Sequence, residues 1–320
     1  MKKPIFTLTL ALLILLSACV TDPIDTEQLP SGPLESEEVQ IVSETPAPDG
    51  TQDPAQDEDT GIEKFINDQL TIIKEICDLH EGIKGLNKSL TDLYPIAVVE
   101  NDVFYIFDIN AQSDEYEFVN EYPSSMSLPE NVLAAFPLDV YGGKNAAVVA
   151  ANELKNLDNY AVIFHEFVHC YQFNHYSNDI KRNLTIEKQE TAKNNYMWEI
   201  NYPFPYEDET FIAMTTELYN ASGETELESY INYHKFMKDH LQETDFEYMV
   251  WQEWQEGFAR YVEDLICEYL GTENKNVFPD SLDRTCFYKI GSRYIELLIE
   301  NDPALSDDLR ELFIRISNYD

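Results

Sequence analysis

The residues of this chain whose types and spacing most directly suggest chemistry are His165-Glu166-Phe167-Val168-His169. An α-helix advances about 100° per residue, so His165 and His169 would lie only about 40° apart. One turn of helix then presents both imidazoles on one face, as a shared zinc ion requires. Glu166 would stand about 100° around from His165, placed to take a proton from a water beside such an ion rather than to ligate it. Phe164, Phe167, Val168 and Tyr171 gather on the opposite side of the same helix and can anchor it in a core. The competing structural reading is a pair of hydrogen-bonded histidines on a partly buried helix.

A catalytic zinc needs a third protein ligand and an open position for water. One candidate is Glu256, in Trp254-Gln255-Glu256-Gly257-Phe258-Ala259-Arg260-Tyr261. There Trp254, Phe258, Tyr261 and Leu265 form an apolar helix face and Glu256 projects roughly opposite. Gly257 and Ala259 are small enough to let this second helix come close to the first. The rival is His175, since His165-Glu166-x-x-His169-x-x-Gln172-x-x-His175 differs from the metzincin pattern only in having Gln172 where a glycine is expected. Glutamine favours continuing the helix, which turns His175 off the face shared by the other two histidines, so the spacing favours Glu256. Gln172 itself falls on the histidine face, where it either contacts a ligand or a neighbouring polar group, or is a plain surface residue.

The pattern Glu-Gly-x-Ala-x-Tyr following a His-Glu-x-x-His helix resembles the gluzincins, the thermolysin-like clan, and more narrowly several gluzincin-like peptidase families of bacteria. The resemblance covers the two helices and the segment Phe287 to Glu296. It implies a zincin-like fold, one Zn2+ ion on His165, His169 and Glu256, Glu166 as general base, and hydrolysis of peptide or protein substrates. Tyr288, in Tyr288-Lys289-Ile290-Gly291, is the preferred donor to the developing oxyanion, ahead of Tyr261, Arg293 and Tyr294. The resemblance also suggests Ala146 to Ala151 as an edge strand that pairs with extended substrate. Two departures stand out: Glu256 lies 87 residues beyond His169, and Arg260 occupies the position four after the ligand Glu where thermolysin has Asp. The second leaves open what orients the histidines.

The elements that must position these residues can be read from periodicity. Ile62 to Leu90 has helical spacing, ending near Gly82 and Gly85. Ile96 to Val99 and Val103 to Phe107 flank Glu100-Asn101-Asp102 as a hairpin, and Phe118-Val119, Leu138 to Tyr141 and Ala146 to Ala151 read as further strands. Helices are expected over 157–176, 208–220, 224–241, 245–270, 288–299 and 306–316. Strands first and helices afterwards give an α+β architecture: a small mixed sheet packed on the motif helix, followed by a mainly helical C-terminal lobe. The catalytic unit would be 62–320, divided near residue 156.

Ahead of it, Met1-Lys2-Lys3, the apolar run Ile5 to Leu16 and Leu16-Ser17-Ala18-Cys19 form an export signal too short to span a membrane. The last four residues resemble the lipobox of bacterial lipoproteins, implying cleavage after Ala18 and lipid attachment at Cys19. From Val20 to Gly61 there is no Lys or Arg and proline recurs, so 19–61 reads as a disordered acidic tether. The domain would thus stand on the extracytoplasmic side of a membrane, held by its lipid. A net charge of −39 argues against nucleic acid and anionic lipid as partners. Cys77, Cys170, Cys267 and Cys286 lack the close spacing of a structural zinc site. Cys170 and Cys267 read as buried packing residues. The alternatives to a peptidase are a noncatalytic surface-binding lipoprotein and a hydrolase of nonpeptide amides.

Overall fold

The computed structural model describes residues 54–124, 128–157, 159–221, 227–274, 279 and 281–318. The expected export signal, Cys19 and most of the expected tether lie outside the described residues. Helix α1 (Pro54–Ile83) begins eight residues inside that tether. Among the described residues no helix is long and apolar enough to cross a membrane.

Five strands follow: β1 (Ile96–Glu100), β2 (Val103–Ile109), β3 (Tyr116–Pro123), β4 (Leu133–Leu138) and β5 (Lys144–Ala150). Their order across the sheet is β3-β2-β1-β5-β4. The β1–β2 hairpin is as expected, with Glu100 opposite Val103 across a two-residue turn. Asn101 and Asp102 both take positive φ, 51° and 58°, which matches the right-handed twist of the flanking strands. β5 pairs with β1 in parallel and with β4 antiparallel.

The expected edge strand, Ala146 to Ala151, is therefore corrected. β5 is interior, which explains its unbroken buried run from Ala146 to Ala150, and β4 forms the edge. The expected strand Leu138 to Tyr141 keeps only Leu138; residues Asp139–Tyr141 form a 3-10 turn closed by Gly142 at φ 68°. Pro137 sits in β4, where an edge strand tolerates a residue without an N–H.

Beyond the sheet the chain is helical. α2 (Ala151–Asn156) is separate from α3 (Ala161–Gln172), where the periodicity suggested one helix from Leu157. The break falls at Asn159, whose Oδ1 accepts from the Ala161 N–H at 2.9 Å and starts the new helix. α3 continues through a π turn, Phe173–Ser177, into α4 (Asn178–Lys181). The short α5 (Thr185–Ala192) and α6 (Trp198–Asn201) carry no apolar stripe by which sequence would reveal them. α7 (Glu209–Ala221), α8 (Leu227–His240), α9 (Glu243–Leu270), α10 (Cys286–Asn301) and α11 (Leu309–Asn318) lie close to the expected spans.

Two contacts position the site. α3 packs one face on β4 and β5 and another on α9. Its sheet side is the expected apolar one: Phe164, Phe167 and Val168 are fully buried, and Phe167 meets Phe164 and Tyr94 at ring distances of 5.6 and 5.8 Å. α9 in turn meets α10 at Gly257 and Gly291, so the close approach that Gly257 allows is to α10 and not, as expected, to the helix of His165 and His169. A Cβ on Gly257 would stand 2.7 Å from the Gly291 carbonyl carbon, and one on Gly291 would stand 2.5 Å from the Glu253 oxygen. Only glycine at both positions permits this backbone contact, immediately beside Glu256.

Candidate metal centre

The α3–α9 interface brings three chemically active groups to one point. His165 Nε2 and His169 Nε2 are 3.1 Å apart, and Glu256 Oε2 lies 3.6 Å from the first and 3.4 Å from the second. The three side chains are 0%, 1% and 3% exposed. His175 does not join them. It lies in the π turn, exposed, with its ring 4.6 Å from that of Tyr171. Continuation of the helix past Gln172 turns it away, as the residue at position 172 suggested.

The orientation of each histidine is set from behind. His165 donates through Nδ1 to Glu263 Oε2 at 3.0 Å, and His169 donates through Nδ1 to Gln172 Oε1 at 2.9 Å. The Gln172 amide can face only one way, because its Nε2 donates to the backbone oxygens of Gln255 (3.1 Å) and Trp254 (3.4 Å). Both Nδ1 atoms therefore carry the proton, and both Nε2 lone pairs point at the Glu256 carboxylate. Gln172 is thus a fully buried member of the site rather than a surface residue.

Glu263 answers the question raised by Arg260. It lies seven residues, two helical turns, after Glu256 and so shares its face of α9. Arg260 lies between them and donates to Glu263 Oε2 at 2.9 Å. The carboxylate orienting His165 is that of Glu263, with the Arg260 guanidinium compensating it. The sequence carried this signal in the spacing Glu256, Arg260, Glu263, which points three complementary charges to one side.

Electrostatics follow from this packing. Protonating the imidazoles would put an N–H on each Nε2; burial alone would raise the Glu256 carboxyl, but the charge of a protonated His169 and hydrogen bonds from protonated His165 and His169 outweigh it and hold the group far below the usual carboxylate range. Burial of Glu263 is likewise outweighed by the Arg260 charge and the His165 hydrogen bond, so its pKa is lowered. Burial would lower His165, yet hydrogen bonding to Glu256 and Glu263 raises it. With imidazoles neutral, the buried carboxylates of Glu166, Glu256 and Glu263 against the one guanidinium of Arg260 leave a formal charge of −2.

The other expected residues divide. Glu166 is fully buried next to His165. Tyr288 is buried on α10, one turn before the Gly291 crossing, with the Arg284 guanidinium 5.9 Å from its ring centre. Tyr294 is engaged elsewhere: its ring stacks on Tyr230 at 5.4 Å and meets His234 at 4.4 Å. Arg293 pairs with Glu296 at 2.5 Å, and Tyr261 packs on Phe258 at 6.1 Å. Cys170 and Cys267 are buried as expected, and Cys77, Cys170, Cys267 and Cys286 are free thiols. Burial and the nearby Glu166 charge push the Cys170 thiol well up, which makes it inert. Compared with protein-family models, with curated proteins and with solved structures, the chain has no match.

Proposed function

We propose that this chain is a zinc-dependent hydrolase of peptide bonds, with His165, His169 and Glu256 as metal ligands and Glu166 as general base. The observation that carries the reading is the donor triangle. Ligands about 2.0–2.1 Å from a tetrahedral zinc lie about 3.3–3.4 Å from one another. The three edges here are 3.1, 3.4 and 3.6 Å. With both imidazoles neutral, Glu256 Oε2 has no hydrogen-bond donor among the described residues, although it is buried. Three lone-pair donors facing one another out of water repel unless a cation lies between them, and the formal −2 suits a divalent one.

Bound there, zinc supplies Lewis acidity, which polarises a carbonyl and brings the pKa of a water toward about 7. Glu166 accepts a proton from the attacking water as the new C–O bond forms, and returns it to the leaving nitrogen as the C–N bond breaks. Gln172 and Glu263 hold the imidazole tautomers throughout. Tyr288 is the proposed oxyanion donor. The resemblance of Leu16-Ser17-Ala18-Cys19 to a lipobox supports the further reading that this activity lies outside a membrane, on a lipid anchor at Cys19.

Metal analysis of wild type beside His169→Ala and Glu256→Ala tests the ligands, and peptide hydrolysis by Glu166→Gln tests the base. One zinc per wild-type chain, lost in the first two variants, with hydrolysis abolished but zinc kept in the third, is the expected result. Proteolysis undiminished by Glu166→Gln would overturn the mechanism. The burial of the cluster favours a second reading, a noncatalytic surface-binding lipoprotein whose zinc is structural. That reading predicts stoichiometric zinc without hydrolysis of any peptide by the wild type.

A further inference from the structure

The polar chain behind His165 does not end at Arg260. Asn274 lies three residues beyond Gly271, the left-handed cap that ends α9. Its amide faces both ways: Oδ1 accepts from Arg260 at 3.2 Å, and Nδ2 donates to Asp264 Oδ1 at 2.7 Å. The other Asp264 oxygen accepts from Ser292 Oγ of α10 at 3.0 Å. A continuous path of hydrogen bonds thus runs from the loop after α9 through Arg260 and Glu263 to the Nδ1 of His165.

The arrangement settles a competition. Glu263 and Asp264 are three and four residues after Arg260, both within reach of one guanidinium on a helix. By donating to Asp264, Asn274 satisfies that carboxylate; by accepting from Arg260, it holds the guanidinium at Glu263. Without it, Arg260 is drawn toward Asp264 and Glu263 is free to rotate off His165. The loop is only half-buried at Asn274, so this residue is not needed to fill a core. Resting on the zinc reading above, we propose that Asn274 is a positioning residue for the metal site, setting zinc affinity through Arg260, Glu263 and the orientation of His165.

The test is the zinc dissociation constant of the full chain, measured by competition with a chromophoric chelator, for wild type, Asn274→Ala and the same-loop control Thr272→Ala. Loss of a group behind a metal ligand weakens binding about 10- to 100-fold, and Asn274 lies further out, so the expected loss is about tenfold. Thr272→Ala should remain within about twofold of wild type, and the visible bands of the cobalt-substituted protein should shift only in Asn274→Ala. A merely structural role would lower the melting temperature and leave affinity and cobalt spectrum unmoved. Folded Asn274→Ala with wild-type zinc affinity, or Thr272→Ala equally weakened, overturns the proposal. Wild type that binds no zinc overturns the zinc reading itself, and this inference with it.

Discussion

Replacing Glu263 by glutamine isolates the carboxylate behind His165 while preserving its volume. Its Oε2 accepts two charge-assisted hydrogen bonds, from His165 at 3.0 Å and from Arg260 at 2.9 Å, at a position 5% exposed. Bonds to a charged group contribute about 1.5–3 kcal/mol and neutral ones about 0.5–1.5 kcal/mol, so each should weaken by about 1–1.5 kcal/mol. The zinc-free protein should lose about 2–3 kcal/mol in denaturant unfolding, the Arg260 charge being left without its carboxylate. In the zinc form the imidazole becomes less basic, and the dissociation constant should rise about 10- to 100-fold, or about 1.4–2.7 kcal/mol. Chelator competition on the folded variant measures the second quantity independently of the first. A Glu263→Gln protein that binds zinc as tightly as wild type would refute the assignment, because the orienting bond would then have no energetic consequence for the ligand it holds.

Four further outcomes follow from particular contacts. Gln172→Leu removes the acceptor that fixes His169 and the side-chain bonds that tie it to the Trp254 and Gln255 carbonyls of α9, so zinc affinity should fall about 10- to 100-fold by the same competition assay. Gly257→Ala places a Cβ 2.7 Å from the Gly291 backbone and should destabilise the fold by about 1–3 kcal/mol in urea unfolding, with zinc binding weakened because Glu256 shifts with the crossing. Asp102→Gly relieves a non-glycine residue at φ 58° and should stabilise the hairpin by up to about 1 kcal/mol in the same assay. With zinc chelated, the lowered Glu256 and Glu263 contribute stability above their ordinary value of 4.5, lost as pH falls through their folded values. The raised His165 contributes stability below 6.5, lost as pH rises through its folded value, so the melting temperature should decline in both directions and Glu256→Gln should flatten the alkaline side.

What the sequence made legible was what periodicity encodes. The α9 stripe of Trp254 and Phe258, both fully buried, gave that helix, and alternation around Asn101-Asp102 gave the hairpin. β4 escaped because Val132 to Phe136 includes two alanines and runs into Pro137, which reads as a break unless the strand is known to be an edge. β5 was found but misplaced, since strand order depends on pairing across the sheet, and a buried apolar run is compatible with several neighbours. The helices α4 to α6 escaped because they bury few apolar side chains and are held by polar contacts, such as Lys181 to Glu199 at 2.7 Å and Trp198 to Glu187 at 2.7 Å.

The candidate site divides along a similar line. His165, Glu166 and His169 are adjacent in sequence, and helix geometry alone fixes their mutual placement. Glu256 was reachable through the resemblance of Glu256-Gly257-Phe258-Ala259-Arg260-Tyr261 to the gluzincin pattern and its place opposite the apolar face of its helix, whereas Gly257 admits α10 rather than α3. The orienting groups were harder to see, because their meaning depends on distance between helices rather than spacing within one. Gln172 looks like a surface residue until α9 delivers two carbonyl oxygens to its amide nitrogen. Arg260 looks like a departure from the expected pattern until Glu263, one turn later, is seen to take the histidine while the arginine balances it. Glu263 lies seven residues after Glu256, close to two full turns, and so shares its helix face. That spacing also leaves an intervening position on that face, and a cation there turns a carboxylate that is costly to bury into a compensated pair. The arginine that departs from the expected pattern is, on this geometry, the cation that compensates the Glu263 carboxylate behind His165.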